Sequence, residues 1–202
     1  MLTPKDANTK NREICGLAPV IPVLTVKDVA HARPLAEALV AGGLPALEVT
    51  LRTPAALDSI RAMSDVLGGV VGAGTLITPK DVENAVAAGA KFGVSPGATP
   101  KLLAACAEAG LPLLAGAVTS SEVMALMEAG YEVGKFFPAE AAGGAPALKS
   151  LGAPLPQMSF CPTGGVTLQN APTYLSLANV LCVGGSWVAP GDLVASGAWD
   201  KI

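Results

Sequence analysis

The chain alternates between short, mostly apolar runs and longer segments in which polar residues recur at helical spacing. Eight such runs, each of four to six residues, follow one another between residues 20 and 184. Runs of this length are typical of strands that are buried on both faces of a parallel sheet. The predicted strands are Val20–Thr25, Ala46–Leu51, Val70–Gly74, Phe92–Ser95, Leu113–Ala117, Val133–Phe137, Met158–Thr163 and Val180–Gly184.

The segments between the runs carry signals for helix starts and ends. Asp28 is placed to cap a helix over Val29–Ala41, and Gly42 and Gly43 end it. A threonine followed by proline, which favours the first turn of a helix, precedes three further segments. The remaining predicted helices are Ala55–Leu67 after Thr53-Pro54, Lys80–Ala88 after Thr78-Pro79, Lys101–Ala109 after Thr99-Pro100, and Val123–Ala129, opened by Ser121-Glu122.

The spacing of the strands predicts the fold class. Their last residues stand 20 to 26 residues apart, which leaves room each time for a loop and a short helix. Eight even βα units favour a parallel (β/α)8 barrel of the TIM type over a doubly wound open sheet. We expect residues 1–202 to form one domain, with residues 1–17 as an N-terminal helix or arm. Only 18 residues follow Gly184, so the last helix is expected to be short or truncated.

Composition narrows the class of protein. Apolar residues make up 51% of the chain and charged residues 14%, which excludes an extended disordered chain. The net charge of −3 argues against a nucleic-acid partner. No apolar run reaches the roughly 18–20 residues of a membrane span, and the polar N-terminus lacks a signal-peptide core. We therefore expect a cytoplasmic protein without a membrane partner, its apolar excess buried in the core or between subunits.

Histidine and cysteine usage restricts the chemistry. The single histidine, His31, excludes a zinc site with two or three histidine ligands and is expected at the surface or an interface. Four cysteines are present without a CxxC pair, and we expect them to be buried, reduced thiols: Cys15, Cys106, Cys161 and Cys182. No metal is predicted.

Three charged side chains fall on or next to predicted strands, where an unpaired charge is costly. Strand alternation puts Glu48 and Arg52 on one face and leaves Leu47, Val49 and Leu51 as an apolar row for the helices. This pattern favours Glu48 pointing into the barrel, over an outward position paired with a helix lysine, and Arg52 at its rim.

Lys135 is the only one of nine lysines flanked by apolar residues on a predicted strand. It could simply reach out to solvent, as strand-end lysines often do. Placed between aromatic residues in the interior, it would instead favour the neutral amine that attacks carbonyls.

Two glycine pairs, Gly164-Gly165 and Gly184-Gly185, follow the seventh and eighth strands, each beside a hydroxyl residue. In a (β/α)8 barrel the loops after these strands often bind phosphate. A single pair could be only a tight turn, but two allow backbone N–H groups to converge on an anion. The whole set suits a carbonyl substrate with a carboxylate and a phosphate: Lys135 for the Schiff base, Glu48 for proton transfer and Arg52 for the carboxylate.

Six segments, in order between about Ala18 and Trp187, closely resemble the bacterial 2-keto-3-deoxy-6-phosphogluconate (KDPG) aldolases. The segments are Glu48-Val49-Thr50-Leu51-Arg52-Thr53, Gly72-Ala73-Gly74-Thr75, Ser95-Pro96-Gly97, Lys135-Phe136-Phe137-Pro138-Ala139-Glu140, Cys161-Pro162-Thr163-Gly164-Gly165 and Gly184-Gly185-Ser186-Trp187. The chain departs from the family pattern at its C-terminus, where members continue into a last helix.

The resemblance implies a homotrimeric class I aldolase of the Entner–Doudoroff pathway. Such an enzyme cleaves its substrate, a phosphorylated 2-keto-3-deoxy sugar acid, to pyruvate and glyceraldehyde 3-phosphate and needs no cofactor. By the same resemblance, Lys135 forms the Schiff base and Glu48 is the general acid and base. The implied substrate-binding residues are Arg52, Thr75, Pro96 and Phe137 at the pyruvate end and Thr163, Gly164, Gly165, Gly184, Gly185 and Ser186 at the phosphate end.

Three alternatives stay open. Two are family members that act on 4-hydroxy-2-oxoglutarate or on 2-keto-3-deoxy-6-phosphogalactonate. Relatives of the galactonate type tend to lack the Arg52-Thr53 pair and the Cys161–Gly165 segment, both of which are present here. The third is a non-aldolase phosphate-binding TIM barrel, either a lysine-independent isomerase or a binder without activity.

Overall fold

A computed structural model describes residues 1–202 and confirms the predicted (β/α)8 barrel. Eight parallel strands form one sheet in the order β7-β6-β5-β4-β3-β2-β1-β8. The strands are β1 Val20–Leu24, β2 Ala46–Thr50, β3 Val70–Gly74, β4 Phe92–Val94, β5 Leu113–Ala117, β6 Val133–Phe136, β7 Ser159–Pro162 and β8 Val183–Gly185. The helices are α1 Pro4–Cys15, α2 Ala32–Ala41, α3 Ala56–Ser64, α4 Pro79–Ala87, α5 Pro100–Ala109, α6 Ser120–Glu128, α7 Gly144–Gly152, α8 Ala171–Leu175 and α9 Gly191–Ser196.

The barrel closes between β7 and β8 through two isolated bridges, Phe160 with Val180 and Thr163 with Gly184. The two bridges are three residues apart on the β7 side, from Phe160 to Thr163, but four residues apart on the β8 side, from Val180 to Gly184. One extra residue therefore interrupts the pairing on the β8 side. The prediction that the eighth strand begins at Val180 is therefore wrong, because regular pairing resumes only at Val183, against Val20 of β1.

The predicted helix starts are confirmed where the predicted capping side chain makes no competing hydrogen bond. Thr78 and Thr99 cap α4 and α5 as predicted. Asp28 caps only a 3-10 turn over Val29–His31, and α2 begins after that turn. Thr53 does not cap α3, because its hydroxyl donates instead to the carbonyl oxygen of Val26 at 2.5 Å.

The start of α6 differs from the sequence prediction. Thr119, not Ser121, is the N-cap, and Glu122 completes a capping box by accepting from the backbone N–H groups of Thr119 and Val118. These two hydrogen bonds lower the pKa of Glu122. The carboxylate thus stabilises the fold above the ordinary glutamate pKa, and this stabilisation is lost as the pH falls through the lowered value.

Apolar side chains form two cores, one on each face of the sheet. The larger lies between the strands and the helices and includes Leu47 and Val49 of β2. The smaller fills the barrel and includes Ala46 of the same strand, together with Phe92 and Val133. The alternation predicted along β2 is therefore the one observed.

Helix α1 closes the N-terminal end of the barrel. Ile14 and Cys15 belong to the inner core, and Asn11 donates to the carbonyl oxygen of Leu113 at 3.0 Å. The side chain of Asn8 bonds to both the carbonyl oxygen of Gly130 and the N–H of Glu132. With this end covered, ligands reach the interior from the C-terminal ends of the strands.

The last βα unit is short, as predicted. Helix α9 has six residues and is followed by a 3-10 turn over Trp199–Lys201. His31 is half-buried and packs edge-on against Trp199, with the ring centroids 5.6 Å apart. None of the helices has the length and apolar character that crossing a membrane requires.

We expect the capping box at the start of α6 to contribute to the stability of the fold. Replacing Thr119 with Ala should lower the free energy of unfolding by about 1 kcal/mol, because one backbone N–H at the helix start loses its acceptor. The exposed Ser121 makes no side-chain hydrogen bond, so Ser121→Ala should stay within about 0.5 kcal/mol of the wild type. Urea unfolding of both variants measures the difference, and equal losses would contradict the observed start of α6.

Candidate active site

The amine of Lys135 and the carboxylate of Glu48 meet inside the barrel. Strands β2 and β6 lie on opposite sides of the barrel, with three strands between them in either direction. Both side chains point inward, and Lys135 Nζ lies 3.3 Å from Glu48 Oε1. Their side chains are only 6% and 4% exposed. The structure therefore places a buried pair of opposite charges where strand alternation predicts inward side chains.

Glycines on neighbouring strands provide the space for this pair. A Cβ atom at Gly74 of β3 would overlap the Glu48 carboxylate. On β5, Gly116 is the register partner of Lys135, and a Cβ there would overlap the carbonyl of Pro96. Side chains at these two positions would therefore displace Glu48 and the chain at Pro96.

One aromatic ring accompanies the amine. The ring centroid of Phe137 lies 5.0 Å from Lys135 Nζ, within cation–π distance. The expectation of aromatic residues on both sides is wrong, because Phe136 points out of the barrel and packs edge-on against Phe160. Strand alternation accounts for the difference, since Phe136 and Lys135 point to opposite faces.

A cavity of about 190 Å³ opens above Lys135 toward the C-terminal ends of the strands. Nine of the predicted site residues line it, with three more that the sequence did not indicate. The lining residues are Val23, Thr25, Arg52, Lys135, Phe137, Thr163, Gly164, Gly165, Val166, Gly184, Gly185 and Ser186. The three additions are two apolar residues and one threonine, types that are common at strand ends and carried no distinguishing signal.

Arg52 lies at the exposed rim of this cavity, as the alternation predicted. Its Nε donates to the hydroxyl of Thr75 at 3.3 Å. Thr75 is the only non-glycine residue with positive φ, at 64°. A strained backbone that orients a polar side chain is common at functional sites. The pair forms a cationic edge suited to a carboxylate.

Pro96 is the one predicted site residue that lies away from this group. It follows β4 at the same end of the barrel but lines a separate, more apolar cavity with Gly97 and Leu103. The carbonyl group of Pro96 packs against Gly116, the register partner of Lys135 on β5.

The loop after β7, Thr163-Gly164-Gly165, forms a concave backbone surface on the cavity wall, called the cradle below. Gly164 and Gly165 have φ angles of 98° and 79°, which side-chain-bearing residues rarely adopt. Their N–H groups donate no hydrogen bond within the chain. Successive free backbone N–H groups in a turn are typical of anion-binding loops.

The cysteines and the histidine lie outside the cavity. All four thiols are free and buried. Burial raises the pKa of Cys106 to about 12, and hydrogen bonding to Cys15 and Cys161 raises that of Cys182. The thiols of Cys106 and Cys182 are therefore protonated at neutral pH and do not act as nucleophiles. No group of three or more histidine, cysteine or acidic side chains could hold a metal ion.

The chain is similar to known proteins over most of its length. The family model "Aldolase: KDPG and KHG aldolase" matches residues 12–202. A 2-dehydro-3-deoxy-phosphogluconate aldolase of Pseudoalteromonas atlantica is 49% identical over 98% of this chain and 93% of its own length. The KHG/KDPG aldolase of Escherichia coli K12 is 47% identical over the same shares.

Two solved structures are similar over most of their length. One is the KDPG aldolase of Legionella pneumophila with pyruvate captured as a covalent carbinolamine, with a TM-score of 0.91 and 46% identity over 94% of this chain and 93% of that one. The other is the Zymomonas mobilis enzyme with 3-phosphoglycerate, with a TM-score of 0.87 and 47% identity over the same shares.

The buried pair makes a prediction about stability that does not depend on activity. Lys135→Met leaves the Glu48 carboxylate buried without a partner, and the free energy of unfolding should fall by about 3–5 kcal/mol. Adding Glu48→Leu removes the second charge and should recover most of this loss. Denaturant unfolding of the single and double variants tests both statements. A Lys135→Met variant as stable as the wild type would show that the pair is not desolvated.

Proposed function

The chain belongs to the KDPG and KHG aldolase family, and from this premise we propose that it cleaves 2-keto-3-deoxy-6-phosphogluconate to pyruvate and D-glyceraldehyde 3-phosphate. The observation that carries the proposal is the 3.3 Å contact between Lys135 Nζ and Glu48 Oε1 at the base of the cavity. An amine nucleophile and a proton carrier within hydrogen-bond distance are what Schiff-base chemistry requires. The curated relatives named for this reaction support the substrate.

The proposed reaction begins with formation of the Schiff base. Glu48 takes a proton from the Lys135 ammonium, and the neutral amine that results adds to the C2 carbonyl of the substrate. Glu48 then relays protons to the carbinolamine oxygen, which leaves as water as the iminium ion forms. Glu48 then takes the proton of the C4 hydroxyl, directly or through water. The C3–C4 bond breaks, its electrons move to the iminium nitrogen, and the aldehyde leaves.

The second half of the reaction releases pyruvate. An enamine remains on Lys135, its C3 atom is protonated, and water hydrolyses the resulting iminium ion. Lys135 is the electron sink throughout, so the reaction calls for no metal or organic cofactor. This chemistry would supply the cleavage step of the Entner–Doudoroff pathway.

The remaining site residues have roles that follow from their position. Arg52, with Thr75, would bind the C1 carboxylate, and the Phe137 ring would border the pyruvyl group. The cradle, with Gly184, Gly185 and Ser186 on the adjoining wall, would bind the 6-phosphate. The role of Pro96 at the pyruvate end rests on the family resemblance alone, since it lines a different cavity.

Reductive trapping tests the proposed nucleophile. Incubation with pyruvate and borohydride should reduce the iminium ion and leave a stable pyruvyl adduct on Lys135, which peptide mass spectrometry locates. Lys135→Met provides the control and should remain unlabelled. A trapped adduct on another lysine would overturn the assignment.

Glu48→Gln tests the proposed proton carrier. The amide keeps the shape of the side chain but cannot exchange protons, so turnover should fall by about 10²–10⁴-fold. An assay that couples pyruvate release to lactate dehydrogenase measures the rate on the authentic substrate. Unchanged turnover would reduce Glu48 to a structural partner of Lys135.

We further propose a homotrimer that works in the cytoplasm, as the family resemblance implies. The cavity beside Pro96, of about 600 Å³, is lined by mostly apolar residues, and Ile77 at its edge is 63% exposed. Burying such a surface between subunits is favourable. Sedimentation velocity should give the mass of three chains, and the mass of a single chain at micromolar concentration would contradict the assembly.

A further inference from the structure

A carboxylate that the proposed reaction does not use lies beside the cradle. Glu140 is five residues beyond Lys135, in the loop between β6 and α7. The hydroxyl of Tyr174, on α8, donates a hydrogen bond to Glu140 Oε1. Tyr174 is only 1% exposed. This contact joins the loop after β6 to helix α8, two segments that are distant in the sequence.

The backbone of the Glu140 loop is bound directly to the cradle. The N–H of Ala139 donates to the carbonyl oxygen of Thr163 at 2.8 Å, and the N–H of Glu140 donates to that of Gly164 at 3.0 Å. Two successive hydrogen bonds of this kind couple the positions of the two loops. A displacement of Glu140 would therefore be transmitted to Gly164.

The side chain of Glu140 lies against the cradle as well. A Cβ atom built on Gly165 would come within 2.7 Å of both Cβ and Cγ of Glu140, so the aliphatic stem covers one face of that glycine. In addition, Asn170 donates from its side-chain amide to the carbonyl oxygen of Gly165 at 3.2 Å. Gly165 is thus fixed both by the stem of Glu140 and by a hydrogen bond.

The charged end of Glu140 points away from the cavity above Lys135. Glu140 and Tyr174 line a different, open cavity of about 440 Å³, together with Gly144 and Asn170. The cavity above Lys135 has no Glu140 in its wall. Burial and the hydrogen bond to Glu140 raise the pKa of Tyr174, so its hydroxyl stays protonated and remains a donor.

We propose that the Tyr174–Glu140 hydrogen bond is a positioning device for phosphate recognition. It has two effects: it fixes the loop that holds the cradle, and it keeps a negative charge turned away from the place where the substrate's phosphate binds. Like charges in close proximity would otherwise repel each other. This inference rests on the proposed function and extends it to two residues that do not touch the reacting atoms.

Tyr174→Phe removes the hydroxyl while keeping the ring that fills the core. The KM for 2-keto-3-deoxy-6-phosphogluconate should rise about tenfold, a typical effect of losing a hydrogen bond to a charged group, with kcat nearly unchanged. The KM for 4-hydroxy-2-oxoglutarate, which lacks a phosphate, and the trapping of pyruvate on Lys135 should stay at wild-type values. Tyr131→Phe is the matched control, because the Tyr131 hydroxyl makes no hydrogen bond to another residue.

A second substitution separates charge from packing. In the double variant Tyr174→Phe/Glu140→Gln, the freed side chain is neutral, so KM should fall below that of Tyr174→Phe, and the increase that remains reflects the loop that is no longer fixed. An equal increase in KM for both substrates, or no increase in the Tyr174→Phe variant, would overturn the inference. Failure of the double variant to recover would overturn the role of the charge.

The cleavage rates of the wild type distinguish a failure of the proposed function from a failure of this inference. If the wild type cleaves neither substrate, the proposed function fails, and the affinity for inorganic phosphate, measured by calorimetry on the wild type and Tyr174→Phe, then tests the inference alone. Weaker phosphate binding in the variant supports it, and equal affinity contradicts it.

Discussion

The contact between Lys135 and Glu48 is the constraint on which the rest of the molecule depends. Two charged groups are taken out of water, and each is tolerated because the other is within hydrogen-bond distance. A barrel brings them together from strands on opposite sides, which an open sheet of the same strands would keep apart. The absence of a side chain at Gly74 leaves room for the Glu48 carboxylate, and its absence at Gly116 leaves room for the backbone of Pro96. The contact between Lys135 and Glu48 therefore requires both a closed barrel and small residues on the neighbouring strands.

The residues proposed to recognise the substrate lie closer to solvent than the Lys135–Glu48 pair. Arg52 and the cradle lie at the rim, on loops whose shape depends on positive φ angles at Thr75, Gly164 and Gly165. The cradle is held from behind by the loop that follows Lys135 itself. The strand that carries Lys135 thus leads directly into the loop that supports the cradle, so in the proposed reaction two adjacent βα units would set the distance between the two ends of the substrate.

Strand alternation is what made the site predictable. On β2 it separated Glu48 from the apolar row formed by Leu47 and Val49, and the structure has the same division. Period-two patterns are local, so a single sequence reveals them. The same reasoning could not place Pro96, because its position depends on how β4 and β5 approach each other. It also could not show that the hydroxyl of Thr53 bonds to the carbonyl oxygen of Val26 and therefore does not cap α3. The Tyr174–Glu140 contact joins residues 34 positions apart, and helix α8, only five residues long, gave no pattern in the sequence.

The N-terminal helix affects the order in which two fragments of a substrate can enter or leave the barrel. Because α1 closes one end of the barrel, the interior has a single opening, and the two halves of a substrate lie one behind the other along it. In the proposed reaction, the half attached to Lys135 would be the inner one, and the half at the cradle would be the outer one. The outer fragment would then have to depart before the inner one, and in the reverse direction the inner fragment would have to arrive first. A helix with no catalytic side chain would thereby favour an ordered kinetic scheme.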